Sequence, residues 1–310
     1  MNMVADFPAL ANSQQLRQID VEYDAETRTM YWWMKPAPRP CFNSAFLEEV
    51  ERFENGVEQH GGWFRHEGVE CKIENAVFGS RIPGVFNLGG DLSMFIKAIL
   101  AKDRKSLTHY GDLCINNMLR RITGFGAGVM TYTLLQGKAF GGGFECALSS
   151  EFILAEKSAS VSFPEVLFNM FPGMGALSLL ARRIGMRKAE EIIMSGQVYT
   201  AKQMYDIGVV DELVEDGQGL AAAQALIKAR QKRRNSYRAM SLAKREFQPV
   251  NHAEMKGIVD VWVDAALRLE NRDLRMMGRL VRAQDKLANS CEEEDVVDQL
   301  FAREPMVVNG

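Results

Sequence analysis

Apolar and polar positions along the first 60 residues alternate with two different periods. Residues 19–24 alternate apolar and acidic side chains, and the apolar stretch 28–35, RTMYWWMK, follows a polar turn. Alternation with a period of two residues before a polar turn, and an apolar stretch after it, predicts a hairpin of two half-buried strands. Between residues 46 and 57 apolar side chains recur every three or four positions, which predicts a helix with Asn43 or Ser44 as its N-cap.

A strand, a glycine loop and a helix then follow one another twice. The stretch VFNLGGDL places Asp91 as an N-cap before an apolar helical pattern, and GVMTYTLLQGKAFGGGFE ends a strand in three glycines. Beyond residue 218 the pattern becomes helical, and after about residue 290 it loses its period. We therefore predict an N-terminal extension (1–14), a core (15–217), a helical region (218–290) and a mobile acidic tail (291–310).

Composition excludes several classes of function. The chain has 310 residues, is 47% hydrophobic and carries a formal net charge of -3, which gives no electrostatic footprint for nucleic acid. It contains no apolar run long enough for a membrane span and no secretory signal at its N-terminus, so we expect a cytoplasmic protein. Five scattered cysteines and four scattered histidines lack metal-ligand spacing, so we predict neither a disulfide framework nor a metal site.

The two glycine loops are candidates for binding negative charge. Glycine lets backbone N–H groups approach a ligand closely, and the first N–H groups of a helix have no partner within it. One N–H from Leu88 or Gly89 and another from Gly142 could together hold a carbonyl oxygen that gains charge. The alternative is that both loops are ordinary turns leading into helices.

Two glutamates accompany these loops in apolar surroundings. Glu145 directly follows the glycines, and Glu165 follows Phe163 and Pro164. Burial raises the pKa of a carboxyl group, and two carboxylates in one site cannot both ionise easily, so such a pair can act as acid and base. The alternative is that Glu145 is a charge at a helix N-terminus and Glu165 a loop residue.

Four ordered motifs over residues 15–290 resemble one family. They are VFNLGGDL, GGGFECALS, PEVLFNMFPGMGA and the late helical run WVDAALRLENRDLRMMGRLVRAQ. They resemble the crotonase (enoyl-CoA hydratase/isomerase) superfamily, and within it the RpfF-type diffusible signal factor synthases. The resemblance implies an α/β fold, a spiral of ββα repeats followed by a C-terminal helical region, assembled as a trimer or hexamer.

The resemblance also implies an activity and its residues. It assigns Glu145 and Glu165 as the catalytic pair, and the N–H groups of Leu88 and Gly142, with Gly89 beside them, as the oxyanion hole. Members of this branch dehydrate a 3-hydroxyacyl chain on acyl carrier protein to a cis-2-enoyl thioester and hydrolyse that thioester to a free fatty acid signal for quorum sensing. No cofactor is implied. A cognate sensor kinase is an implied binding partner.

An acyl chain requires an apolar pocket. The candidates for its lining are Phe140, Gly141, Met170, Met174, Trp262 and Leu280. For each apolar one, the alternative is a plain core position. Two other functions stay open: an enoyl-CoA hydratase or isomerase of fatty-acid metabolism acting on acyl-CoA, and a non-catalytic crotonase scaffold that docks on a sensor kinase.

Overall fold

A computed structural model describes residues 16–66 and 69–289. The predicted N-terminal extension (1–14) and acidic tail (291–310) lie outside these residues, and the division between 15–217 and 218–290 stays a prediction. No helix within the described residues is long and apolar enough to cross a membrane.

The strands are short and are numbered in chain order. They are β1 (Ile19–Asp24), β2 (Thr29–Met34), β3 (Trp63–His66), β4 (Val69–Lys72), β5 (Asn75–Ser80), β6 (Val85–Asn87), β7 (Met130–Leu135), β8 (Lys138–Phe140), β9 (Phe152–Glu156), β10 (Ser160–Ser162), β11 (Val198–Thr200) and β12 (Glu212–Val214). The predicted hairpin is confirmed, since β1 pairs antiparallel with β2.

The last four of the described helices follow one another without an intervening strand. They are α1 (Ser44–Gln59), α2 (Leu92–Leu100), α3 (Arg104–Ile122), α4 (Gly142–Leu148), α5 (Ala176–Ile184), α6 (Met186–Ser195), α7 (Ala201–Asp206), α8 (Gly219–Gln231), α9 (Arg234–Phe247), α10 (His252–Ala266) and α11 (Asn271–Asn289). A 3₁₀-helix spans Pro164–Phe168. Two predicted N-caps are confirmed: the Asn43 side chain accepts from the N–H of Phe46, and Asp91 accepts from those of Ser93 and Met94.

The described strands form two larger sheets and a separate two-stranded sheet of β3 and β4. The six-stranded sheet has the order β1-β2-β5-β7-β9-β12, and the four-stranded sheet has the order β11-β10-β8-β6. Neighbouring strands from β2 to β12 in the first sheet run parallel, as do β10, β8 and β6 in the second. Strands β5, β7 and β9 of the large sheet are each followed along the chain by a short strand of the small one, namely β6, β8 and β10, which is the repeating unit of the spiral.

This repetition places three chain segments at one edge. Strands β6, β8 and β10 are parallel neighbours, so their carboxyl ends lie on the same side of the small sheet. The first strand leads into the Gly89-Gly90 loop, the second into the three glycines, and the third into the 3₁₀-helix that carries Glu165. Segments that are far apart in sequence therefore meet at one place.

A buried ion pair sits inside the apolar core behind this edge. The Nε of Arg121 donates to Oε1 of Glu54 at 2.8 Å, and its Nη1 donates to the Cys146 sulfur at 2.7 Å. The guanidinium also lies over the rings of Trp32 and Phe78, at 5.1 and 5.2 Å from their centroids. The ion pair fixes α1 to α3, because its two partners belong to those helices.

Removing one member of this pair leaves the other charge unpaired in the interior. We expect Arg121→Met alone to lower the free energy of unfolding by about 3 to 5 kcal/mol. The double variant Glu54→Leu/Arg121→Met, which removes both charges, should recover most of that loss. Urea unfolding of the wild type, both single variants and the double variant measures this, and a double variant as unstable as Arg121→Met would contradict it.

Candidate active site

The three segments at the edge of the small sheet touch one another closely. A Cβ on Gly89 would lie 2.7 Å from the Phe140 carbonyl oxygen, and a Cβ on Gly143 would lie 2.0 Å from that of Asn87. No side chain fits at either distance. The glycines therefore let the first two loops approach each other, and they bring the N-termini of α2 and α4 together.

Glu145 lies in the first turn of α4 and is buried. Its Oε1 accepts hydrogen bonds from the N–H groups of Met174 at 2.8 Å and Ala176 at 3.0 Å. Since Ala176 is the first residue of α5, this carboxylate also satisfies otherwise unpaired donors at the start of that helix. Glu145 thus connects α4 to the segment that follows the 3₁₀-helix.

Glu165 is held differently. The residue as a whole is half-buried, but its Oε2 is shielded from solvent and has no hydrogen-bond partner among the described residues. Its Oε1 lies only 2.5 Å from the position that a Cβ on Gly141 would occupy, where the backbone also has a positive φ of 53°. Glycine at position 141 therefore leaves the space that this carboxyl group occupies.

Both glutamates have raised pKa values. Burial raises the pKa of Glu145 to about 7, although the N–H groups of Ala176 and Met174 act in the opposite direction. Burial, followed by the nearby charge of Glu145, raises the pKa of Glu165 to about 8. Both carboxyl groups therefore have pKa values near neutrality, which allows the pair to take up and release a proton near neutral pH.

The N–H groups of the glycine loops require a correction to the sequence prediction. The N–H of Leu88 donates to the Pro40 carbonyl at 2.8 Å, and that of Gly89 donates to Oδ1 of Asn87 at 2.8 Å. Both predicted donors at this loop are already occupied. In the part of the chain that the structure describes, the N–H groups of Gly90 and Gly142 meet no acceptor, and the Gly90 nitrogen is 3.6 Å from where a Cβ on Gly142 would lie.

An apolar cavity opens next to these groups. Its wall includes Gly90, Gly142, Glu145 and Glu165, and its remaining lining is largely aliphatic, aromatic and methionine side chains. The predicted pocket residues Met170, Met174 and Trp262 all line it. Two free N–H groups and two carboxyl groups therefore face a cavity that could hold an acyl chain.

Three predicted pocket residues do not line this cavity. Phe140 packs in a separate cluster with Val85 and Leu88, because its strand position directs it to the other face of the small sheet. Leu280 is buried in the main core on α11 and does not line the cavity, whereas Met277 on the preceding turn does. Gly141 does not line it either, and its role is to leave space for Glu165.

Sequence reasoning missed one wall of the cavity. Tyr110, Cys114, Met118 and Arg121 line it from α3, at the spacing of one helix face. The Tyr110 hydroxyl donates to the Phe42 carbonyl at 2.6 Å and lies 3.4 Å from where a Cβ on Gly90 would be. The stripe YGDLCINNML was a detectable amphipathic pattern, but its period alone does not separate a pocket wall from a core face.

A cavity with paired N–H donors and a carboxyl pair of raised pKa is typical of enzymes that move protons beside a carbonyl group. Comparison with known proteins gives the family: residues 69–258, more than half of the chain, match the family model for enoyl-CoA hydratase/isomerase. The chain belongs to this family, within the crotonase superfamily, and is an enzyme of acyl thioesters.

Two relatives in sequence carry related descriptions. The chain is 28% identical over 211 residues to the enoyl-CoA isomerase/hydratase fer4 of Mycosarcoma maydis, covering 66% of this chain and 76% of that protein. It is 33% identical over 143 residues to the alpha subunit of the fatty acid oxidation complex of Pseudomonas syringae, covering 46% of this chain but 19% of the relative. The second match is therefore to a small part of a much longer protein.

Solved structures confirm the expected fold. The enoyl-CoA hydratase of Bacillus halodurans superimposes with a TM-score of 0.70 at 16% identity, covering 85% of this chain and 100% of that one. DspI of Pseudomonas aeruginosa superimposes with a TM-score of 0.59 at 20% identity, covering 87% and 97%. At these identities the likeness shows the α/β crotonase fold with its C-terminal helices, and the fold alone.

The three consecutive glycines should respond differently to alanine. Gly141→Ala places a Cβ against Glu165 in a left-handed conformation, and Gly143→Ala places one against backbone, so we expect each to lower stability by about 1 to 3 kcal/mol. Gly142→Ala is the matched control, since its Cβ would meet its nearest neighbours at 3.5 Å. Thermal melts measure the series, and equal losses at all three positions would contradict it.

Stability should depend on pH through the two glutamates. Burial raises the pKa of Glu165 from 4.5 to about 8, so the folded state binds the extra proton between these values. Its stabilising contribution is complete below about pH 4.5 and is lost as the pH rises to about 8, at about 1.4 kcal/mol for each pKa unit.

Urea unfolding of the wild type and Glu165→Gln at about pH 5 and about pH 8 tests this dependence. The variant should lose less stability over that interval than the wild type. Glu190→Gln, which changes an exposed carboxyl group on α6, is the control and should follow the wild type. Parallel curves for all three proteins would show that Glu165 does not hold a proton in the folded state.

Proposed function

We propose that this enzyme is a diffusible signal factor synthase. It would dehydrate a 3-hydroxyacyl chain carried by acyl carrier protein to a cis-2-enoyl thioester, and then hydrolyse that thioester to a free cis-2-unsaturated fatty acid for quorum sensing. The observation that carries the proposal is the Glu145 and Glu165 pair, which lines one cavity together with Gly90 and Gly142. The choice of branch is supported by the four motifs that resemble RpfF-type synthases.

Dehydration uses each of these groups once. The N–H groups of Gly90 and Gly142 hold the thioester oxygen as it becomes an enolate, and ionised Glu165 takes the proton from C2. Protonated Glu145 gives its proton to the 3-hydroxyl group, which leaves as water. At the end of the step the proton from Glu145 has left with the water, and Glu165 holds the proton taken from C2.

Hydrolysis can use the same N–H groups. A water molecule adds to the thioester carbon and gives a proton to the ionised carboxylate of the pair, while the carbonyl oxygen gains charge between Gly90 and Gly142. The C–S bond then breaks, and the carrier thiol leaves with a proton from the pair. The site therefore supplies donors for both steps without further groups. The apolar cavity lined by Met170, Met174 and Trp262 would hold the acyl chain through both.

One observation favours a second function, the hydration of 2-enoyl-CoA. The same carboxyl pair can add water to a double bond, with Glu145 activating the water and Glu165 protonating C2. The two relatives named for enoyl-CoA chemistry and fatty acid oxidation agree with this alternative.

Product analysis separates the two functions. The purified protein is incubated with 3-hydroxydodecanoyl-acyl carrier protein, with the corresponding CoA thioester and with trans-2-enoyl-CoA, and products are identified by mass spectrometry. We expect a free cis-2-enoic acid from the carrier-bound substrate. Glu145→Gln and Glu165→Gln should each reduce its formation by at least about 100-fold, since each removes one proton transfer.

The alternative outcomes are distinct. Reversible hydration of trans-2-enoyl-CoA with no free acid would replace the proposed function by that of a hydratase. If the double variant Glu145→Gln/Glu165→Gln still turns over the substrate, the two glutamates take no part in the mechanism. If no thioester is turned over, the remaining hypothesis is a scaffold that only binds a sensor kinase.

A further inference from the structure

Helix α11 carries a row of cations on its exposed face. We call this row the basic stripe, and its members are Arg272, Arg275, Arg279, Arg282 and Lys286, all of them exposed. Their spacing of three, four, three and four residues keeps them on one side of the helix. From Arg272 to Lys286 there are 14 steps of about 1.5 Å along the helix, so the stripe is about 21 Å long.

The opposite face of the same helix covers the active site. Met277 lines the acyl cavity, and α11 packs against α2 and against the 3₁₀-helix that carries Glu165. Gln284 donates to the Leu88 carbonyl at 3.2 Å, and Asp285 pairs with Arg39, so the helix is also tied to the loop before Gly90. One helix thus has its inner face in the site and its outer face in solvent.

The middle of the stripe has no counter-charge of its own. Arg275, Arg279 and Arg282 have no carboxylate within 4 Å among the residues that the structure describes, whereas Arg272 lies 3.3 Å from Asp273. A cationic row of this length on a chain of net charge -3 is a marked local asymmetry.

Other basic clusters in the sequence are largely neutralised within the fold. Arg182 pairs with Glu254 at 2.8 Å, Arg183 with Asp211 at 3.2 Å, and Arg234 with Glu74 at 2.7 Å. These residues stabilise contacts between elements of the chain. Within residues 16–66 and 69–289 the three central arginines of the basic stripe make no such contacts, and the stripe lies on the helix that covers the acyl cavity.

We propose that the basic stripe docks the acidic face of an acyl carrier protein while its acyl chain enters the cavity. This inference rests on the proposed function and names the surface that serves it. A row of cations at helical spacing along about 21 Å matches carboxylates presented along a partner helix. The phosphates of a nucleotide-containing carrier such as CoA are grouped at one end of the molecule and would meet only part of the row.

Docking of this kind acts on encounter and binding and leaves the chemical step unchanged. Exposed charges at an interface steer association and are screened by salt, so the KM for the carrier-bound substrate should rise with ionic strength. A small thioester without a protein carrier makes no contact with the stripe, and its KM should not depend on it.

The test is a triple charge reversal, Arg275→Glu/Arg279→Glu/Arg282→Glu. We expect the KM for 3-hydroxydodecanoyl-acyl carrier protein to rise by about tenfold or more, with kcat changed by less than about twofold. The pantetheine thioester of the same acid should keep its wild-type KM and kcat. Melting curves of each variant establish that the fold is intact.

The matched control is Arg187→Glu/Lys232→Glu/Arg233→Glu, which makes the same change in net charge at exposed positions away from α11. It should leave the KM for the carrier-bound substrate near the wild-type value. An unchanged or lower KM in the α11 variant, or an equal rise in the control, would overturn the proposal.

Direct binding separates this inference from the proposed function. The affinity of holo-acyl carrier protein for the wild type and both triple variants is measured by fluorescence anisotropy, which requires no turnover. Loss of binding only in the α11 variant supports the docking surface even if the product is that of a hydratase. Equal binding by all three proteins removes the docking surface even if the free fatty acid is formed.

Discussion

The parallel pairing of β6, β8 and β10 is the constraint on which the site depends. Each strand has only three residues, yet together they bring three chain segments to one edge of the small sheet. The Gly89-Gly90 loop, the three glycines and the 3₁₀-helix with Glu165 would otherwise be distant, since they lie tens of residues apart in sequence. A shift of register in one strand would separate the carboxyl pair from the N–H groups.

Two buried carboxyl groups near the cavity, those of Glu54 and Glu165, have different environments. Glu54 is paired with Arg121, so its desolvation is partly offset by a charge-assisted hydrogen bond. The guanidinium also lies over the rings of Trp32 and Phe78. Glu165 has no such partner among the described residues. Burial instead raises its pKa, so the carboxyl group avoids the cost of a buried charge by staying protonated to a higher pH. The paired arrangement fixes two helices to each other, whereas the unpaired arrangement leaves a carboxyl group able to exchange a proton with a ligand.

Sequence reasoning predicted the parts of the site that depend on local pattern. The hairpin, the caps at Asn43 and Asp91, and the helix after the glycines all follow from a few neighbouring residues and are present. Glu145 and Glu165 do line one cavity, although their catalytic roles stay proposals. The choice of N–H donor was wrong at Leu88, because its partner, the Pro40 carbonyl, lies 48 residues earlier and no local pattern indicates that contact.

The residues that line the pocket show the same limit of prediction from sequence patterns. Met170, Met174 and Trp262 line it, whereas Phe140 and Leu280, which were equally apolar in sequence, face other clusters. Which side of a three-residue strand or a helical stripe faces a cavity depends on tertiary packing. Periodicity alone could therefore indicate that these residues are buried but not which cavity they border.

The unequal anchoring of the two glutamates has a consequence for the divergence of this fold. Glu145 accepts two backbone hydrogen bonds at the start of α5, so its loss would disturb the architecture as well as any chemistry. Glu165 leaves an oxygen without a partner and contributes little to the framework. In descendants that lose catalytic activity but keep the fold, substitutions at position 165 would therefore be tolerated first, and a carboxylate at position 145 would be retained much longer.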